Sequence, residues 1–196
     1  VRVGLEQDYF SPWQGIGFDY AVGSVHYVQV PGANAGTLVS PDNPEGEYLA
    51  VDLEPGILQL GIERFFGGDV YALAEAFFSL EADVVRRTGC SIIGHFDLIK
   101  RFNKGNAFFD EHNPRYVAAW QGAADALLAT GVPFEINVNA AAKGVCEECY
   151  PSADIVAYLA TRGARFVFSS DAHATSRLIG HASRAELAPY RELLGL

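Results

Sequence analysis

The chain has 196 residues, a formal net charge of −10, and 49% apolar and 12% aromatic residues. That length suits one domain with a substantial core, and a single domain over residues 1–196 is expected. The acidic balance disfavours binding to nucleic-acid backbones, and no uninterrupted apolar run of about 18 residues marks a membrane span.

The start, Val1-Arg2-Val3-Gly4-Leu5, turns polar too soon for a signal peptide. It reads as the interior of a first strand, 2–5. The sequence contains no Met, which suggests a natural start further upstream. A second strand is expected over 20–27. The stretch 31–55 is rich in Pro, Gly, Asn and Asp and reads as a long surface loop. Residues 57–66 mix two periods and mark a helix only weakly. Asp69 can cap a helix running to Thr88, with Gly89 as its stop. A third strand follows at 91–94. Asn113 and Pro114 open a helix that Gly131 ends. A strand at 134–137, a helix from a Ser152 cap to Gly163, and a strand at 165–169 complete the series. Short apolar strands alternating with amphipathic helices argue for βα units and a parallel sheet or barrel.

Three cysteines build no disulfide framework, and an odd count fits a reducing compartment, so a cytoplasmic setting is expected. Cys146-Glu147-Glu148-Cys149 has C-x-x-C spacing without a second pair to complete a four-ligand zinc site. Both are expected to be loop residues without metal, and Cys90 a core residue.

The chemistry-bearing residues share one position in the pattern. Glu6 follows the first strand, His26 lies late in the second, and His95 follows the third. Glu135 and Asn137 sit in the fourth, and Asp171 and His173 follow the fifth. In barrels and open α/β sheets the C-terminal strand ends form the active-site face. Imidazole nitrogen and carboxylate oxygen bind zinc, manganese or iron, and paired metals activate water and clamp a phosphoryl group. No G-x-x-x-x-G-K phosphate loop or Ser-His-Asp triad is evident. Lys100, Arg101 and Lys104 follow His95, and Lys143 follows the strand at 134–137; a basic cluster beside candidate ligands suggests phosphate recognition. His112, in a polar turn, and His181, in a loop, read as ordinary hydrogen-bonded residues.

Gly4-Leu5-Glu6, Gly23-Ser24-Val25-His26, Ile93-Gly94-His95-Phe96-Asp97-Leu98-Ile99, Glu135-Ile136-Asn137, Tyr150-Pro151-Ser152 and Ser169-Ser170-Asp171-Ala172-His173 occur in this order. The ordered set resembles histidinol-phosphate phosphatases of the PHP (polymerase and histidinol phosphatase) superfamily, over nearly the whole chain. The resemblance implies a distorted, TIM-like (β/α)7 barrel with two or three divalent ions (Zn, Mn or Fe) at its rim. It implies Glu6 as a bridging carboxylate, His26 and His95 as ligands of the second ion, and Asp171 and His173 as ligands at the remaining sites. Glu6 and Asp171 would act in catalysis, with a metal-bound hydroxide attacking the phosphorus of histidinol phosphate. Lys100, Arg101 and Lys143 would meet the phosphate, and Asp97 would orient a ligand. The implied partner is a small phosphorylated substrate, with no nucleic acid and no membrane. Two features depart from the family. Its opening His-x-His motif is not present, so the first strand or strands are expected to be missing. The segment 143–149 also differs, with Cys146-Glu147-Glu148-Cys149 where relatives often carry a basic residue. Another phosphorylated substrate, or a non-catalytic scaffold, are the alternatives.

Overall fold

The structure, a computed structural model, describes residues 2–12, 17–174 and 185–196. His181 lies outside the described residues. Five strands form a parallel sheet in the order β1 (Gly4–Asp8), β2 (Tyr20–Ser24), β6 (Ile92–Ile93), β7 (Phe134–Asn137), β8 (Phe166–Ser169). Glu6 pairs with Val22, Gly23 with Ile93, Ile93 with Phe134, and Phe134 with Phe166. Spatial order follows chain order, so every strand ends on the same edge. That edge carries the candidate site.

The expected α/β class with a parallel sheet is present. Barrel closure is not: β1 and β8 are the outer strands, and no pairing joins them among the described residues. The first strand runs on to Asp8. The strand expected over 20–27 divides after Ser24, because the chain leaves the sheet at Val25-His26. His26 O then accepts from Val51 N at 2.9 Å, and β3 (Tyr27–Gln29) pairs antiparallel with β5 (Gly46–Ala50). The stretch 31–55 is therefore not one loop. With β4 (Asn34–Leu38) it contributes two strands to a three-stranded sheet, β3-β5-β4.

Three helices follow: α1 (Pro55–Phe66), α2 (Val70–Glu81) and α3 (Val84–Thr88). The single helix expected from Asp69 to Thr88 breaks at Ala82-Asp83. There the Asp83 carboxylate bonds Tyr9 Oη and the Arg86 guanidinium rather than leaving the turn helical. The caps behave as their residue types dictate. Asp69 Oδ1 accepts from Tyr71 N and Ala72 N at 3.0 and 3.2 Å, and Gly89 takes φ 68° at the stop. Asn113 caps α4 (Pro114–Leu128) through Arg115 N at 2.9 Å. Ser152 precedes α6 (Ala153–Ala160) without a side-chain cap; its N–H donates to Asp97 Oδ2 at 2.9 Å instead. Short α5 (Asn139–Ala142) and α7 (Ala188–Leu194) complete the helices among the described residues.

Aromatic packing ties the helices to the sheet. Phe78 of α2 meets Phe96 and Tyr116 at centroid distances of 5.4 and 5.6 Å, and Phe96 meets Phe134 of β7 at 5.7 Å. These rings are almost fully buried. Phe96 directly follows His95, so the core fixes the backbone that carries this histidine. No helix among the described residues is long and apolar enough to cross a membrane.

Candidate metal centre

Alternate residues of a strand share a face, so Glu6 and Asp8 leave β1 on the same side. Asp8 is level with Ser24 on β2, two residues before His26. The parallel register thus delivers both carboxylates to His26. Asp8 Oδ2 accepts from His26 N at 3.0 Å and lies 3.2 Å from His26 Nδ1, and Glu6 Oε1 lies 3.4 Å from Nε2. His95 arrives from the end of β6, with Nε2 2.9 Å from the same Glu6 oxygen. Its ring stands edge-on to that of His26 at 4.9 Å. Its backbone N–H donates to Glu135 Oε2 at 2.8 Å, an oxygen that Asn137 Nδ2 also bonds at 3.2 Å. Gly94 permits this approach: a Cβ there would sit 2.7 Å from Val22 Cγ1.

The electrostatics follow from the packing. Hydrogen bonds from His26 and then His95 hold the Glu6 carboxyl far below the usual carboxylate range, against the opposing effect of burial. Burial opposes charge on His26, but hydrogen bonds to Asp8 and Glu6 outweigh it and raise the imidazole to about 10. His95 moves the same way: burial lowers it, and the bond to Glu6 together with the nearby charges of Glu135 and Glu6 more than compensates.

Asp171 and His173 reach the same cavity from the end of β8 but stand outside the cluster. A space of about 230 Å³ is lined by Glu6, His26, His95, Asp171 and His173, with Arg101, Lys143 and Asp52 on its walls. Asp171 takes φ 44°, a left-handed conformation uncommon outside glycine that Asp adopts more readily than most residues, and its Oδ2 accepts from Asn139 Nδ2 at 2.9 Å. His173 is exposed, and its Nδ1 lies 2.9 Å from Asp171 O. Arg101 Nε is buried with no partner among the described residues.

Lys100 takes another direction. Its Nζ is buried 3.2 Å from Asp97 Oδ2 and 3.6 Å from Glu148 Oε2, so the ammonium is already paired away from the cluster. Asp97 therefore orients Lys100 and the Ser152 N–H rather than a ligand histidine. Lys104 is exposed, its Nζ 3.5 Å from Gly144 O. Cys146 and Cys149 lie in a loop, as expected, and both are buried there; Cys90 is buried too, as expected. Cys146 Sγ lies 3.0 Å from Tyr150 Oη, and burial pushes the Cys149 thiol up to about 12. His112 is an exposed residue.

Asp8 and Asp52 escaped the sequence reading. The signal for Asp8 was the two-residue step from Glu6; Asp52 lies past β5, a strand hidden within an apparent loop.

The donor set suits a divalent ion. The ligand atoms of Glu6, His26 and His95 all lie within 4.8 Å of one another. Donors on a tetrahedral ion with bonds of about 2.0–2.1 Å stand roughly 3.3 Å apart. The two separations at Glu6 Oε1, 2.9 and 3.4 Å, bracket that spacing. His95 Nδ1 is buried with no partner among the described residues.

No family model matches the chain. It is 33% identical over 184 residues to a Deinococcus radiodurans protein named probable histidinol-phosphatase, covering 88% of this chain and 57% of that protein. It is 26% identical over 185 residues to a Schizosaccharomyces pombe protein of the same name, covering 88% and 53%. The chain thus spans about half the length of the curated relatives it matches. In fold it matches the crystal structure of a candidate histidinol phosphatase from Listeria monocytogenes, with a TM-score of 0.66, 18% identity, and coverage of 84% and 57%.

Proposed function

We propose, for a chain that is a homologue of proteins named probable histidinol-phosphatase, a metal-dependent phosphomonoesterase that hydrolyses L-histidinol phosphate to L-histidinol and phosphate, a step of histidine biosynthesis. The observation that carries this reading is the convergence of His26 and His95 on one oxygen of Glu6. Those three residues would hold a divalent ion, zinc, manganese or iron, and Asp171 and His173, on the same cavity, would serve a second or third. A bound ion supplies Lewis-acid activation of water and neutralises phosphoryl charge.

The chain's own groups do the rest. Asp8 takes the His26 Nδ1–H and so leaves Nε2 free to face the ligand position. Arg101 and Lys143 bring positive charge to the cavity wall, where phosphate oxygens would pair with them. Asp171, held by Asn139, would accept the proton of the attacking water. A (β/α)7 barrel of the PHP type is the architecture in which this edge would become a closed rim. The reading is tested by phosphate release from L-histidinol phosphate with the metal-loaded chain. Release abolished by chelation and restored by added metal supports it. A loaded chain that releases no phosphate refutes it.

A further inference from the structure

Two residues of β7 support the candidate metal centre without belonging to its ligand cluster. All four residues of β7 are buried. Phe134 and Ile136 pack into apolar clusters, so the alternate residues, Glu135 and Asn137, face the other side of the sheet. There they line a space of about 170 Å³ together with Glu6, His95 and Asp171. Glu135 is 5% exposed. A carboxylate this deep in a central strand is costly unless its oxygens are bonded. Stability alone does not call for one, since an apolar side chain often serves a buried position as well or better. The use of Glu135 therefore has to be read from its partners.

Those partners lie where the pairing of β6 with β7 stops, after Ile93 and Phe134. Ile93 N donates towards β7, to Pro133 O at 2.9 Å, and Gly94 N donates towards β2, to Gly23 O at 2.8 Å. The next donor towards β7 is His95 N. In a continued parallel ladder it would take the main-chain oxygen of Glu135. It takes the Glu135 side chain instead, at Oε2 and 2.8 Å. The carboxylate stands in for a ladder carbonyl, so the chain leaves the sheet at His95 with its N–H still bonded, and His95 Nε2 comes within 2.9 Å of Glu6 Oε1. The same Glu135 oxygen accepts from Asn137 Nδ2 at 3.2 Å. Asn137 Oδ1 accepts from Asn139 N at 3.0 Å, and Asn139 Nδ2 donates to Asp171 Oδ2 at 2.9 Å. One hydrogen-bonded chain thus runs from His95, past the end of β6, across β7 to Asp171, past the end of β8.

We infer that Glu135 and Asn137 are positioning residues, which fix His95 and Asp171 relative to one another and so set the affinity of this edge for a divalent ion. The effect on affinity rests on the metal-dependent reading above; the effect on His95 does not. With an apolar residue at 135, His95 N would either lose its partner or close onto the main-chain oxygen, drawing the imidazole back from Glu6.

The test uses cobalt(II), whose visible absorption reports ligand geometry, and the ring resonances of His95 in the metal-free chain. Glu135→Ala should weaken cobalt binding about tenfold or more, as loss of a partner that orients a ligand usually does. It should also alter the cobalt bands and shift the His95 ring signals, while those of exposed His112 stay in place. Glu135→Gln keeps an oxygen for the His95 N–H and should restore affinity, bands and ring signals towards native. Asn137→Ala cuts the chain one link further on and should weaken cobalt binding too; it carries the comparison if Glu135→Ala does not fold. In the native chain the His95 amide should exchange slowly with solvent. The inference is overturned if folded Glu135→Ala keeps the native His95 signals, if Glu135→Gln behaves like Glu135→Ala, or if the native His95 amide exchanges as fast as an exposed one. A native chain that takes up no cobalt while the His95 signals respond as expected overturns the metal-dependent reading and the effect on affinity, and supports the positioning of His95.

Discussion

Glu6 and Asp8 meet the two nitrogens of one imidazole, at 3.4 and 3.2 Å. One contact shapes the ligand position and the other sets the ring that serves it. Partners of this kind usually matter 10–100-fold for metal affinity. Asp8→Asn is accordingly expected to weaken metal binding by roughly that factor while leaving the fold intact, as metal-competition titration would read. The same pair sets a pH dependence. In the chelated chain the folded His26 titrates at about 10, above its ordinary value of 6.5. Its ion-pair stability is therefore fully present below about pH 6.5 and is lost as pH rises through about 10. Urea denaturation of the chelated chain across that window should show the decline, and a flat profile would contradict it. Metal loading displaces the same proton, so affinity for the ion should rise over the same window. Glu6, His26 and His95 were legible in the sequence because each lies at or near the C-terminal end of an apolar strand, and strand ends share an edge. The direction of Lys100 was not legible. Its approach to Asp97 at i, i+3 depends on a 3-10 turn, Leu98–Lys100, that periodicity does not announce.

The helices were legible where caps and apolar stripes agreed, as at Asn113-Pro114 and Asp69. They were not legible where one polar residue redirected the chain. Asp83 breaks what reads as a continuous stripe, because its carboxylate finds Arg86 and Tyr9. The strands of 31–55 were hidden for another reason. β4 is exposed along its whole length, so it shows no apolar alternation to read. Asp69→Ala removes the acceptor for two N–H groups of α2 and should cost about 1 kcal/mol. The exposed Arg115 pair should add little to that. Gly23→Ala is expected to be worse. Its Cβ would meet Cys90 Sγ at 2.5 Å and Thr88 Oγ1 at 2.9 Å, between β2 and the end of α3. Overpacking of this kind costs about 1–3 kcal/mol. Equilibrium urea denaturation checks both values.

For the whole molecule, the parallel order of the sheet was legible from alternating strands and helices, and it placed every candidate ligand on one edge. Closure into a barrel would require β1 and β8, the outer strands here, to be joined, a long-range property that no local pattern encodes. The site couples to the fold through His95-Phe96, one residue on the cluster and the next in the aromatic core. An ion that binds only the folded cluster should thus raise the melting temperature, with about 2.7 kcal/mol of added stability at a hundredfold excess over its Kd. Chelation should reverse the gain. The measurement that bears most directly on the central claim is metal content by elemental analysis, on the native chain and on Glu6→Gln and His95→Ala. At least one equivalent of zinc, manganese or iron in the native chain, lost in both variants while they stay folded, is the predicted result. A folded native chain without metal after incubation with each ion, or variants that hold as much as the native chain, would contradict it.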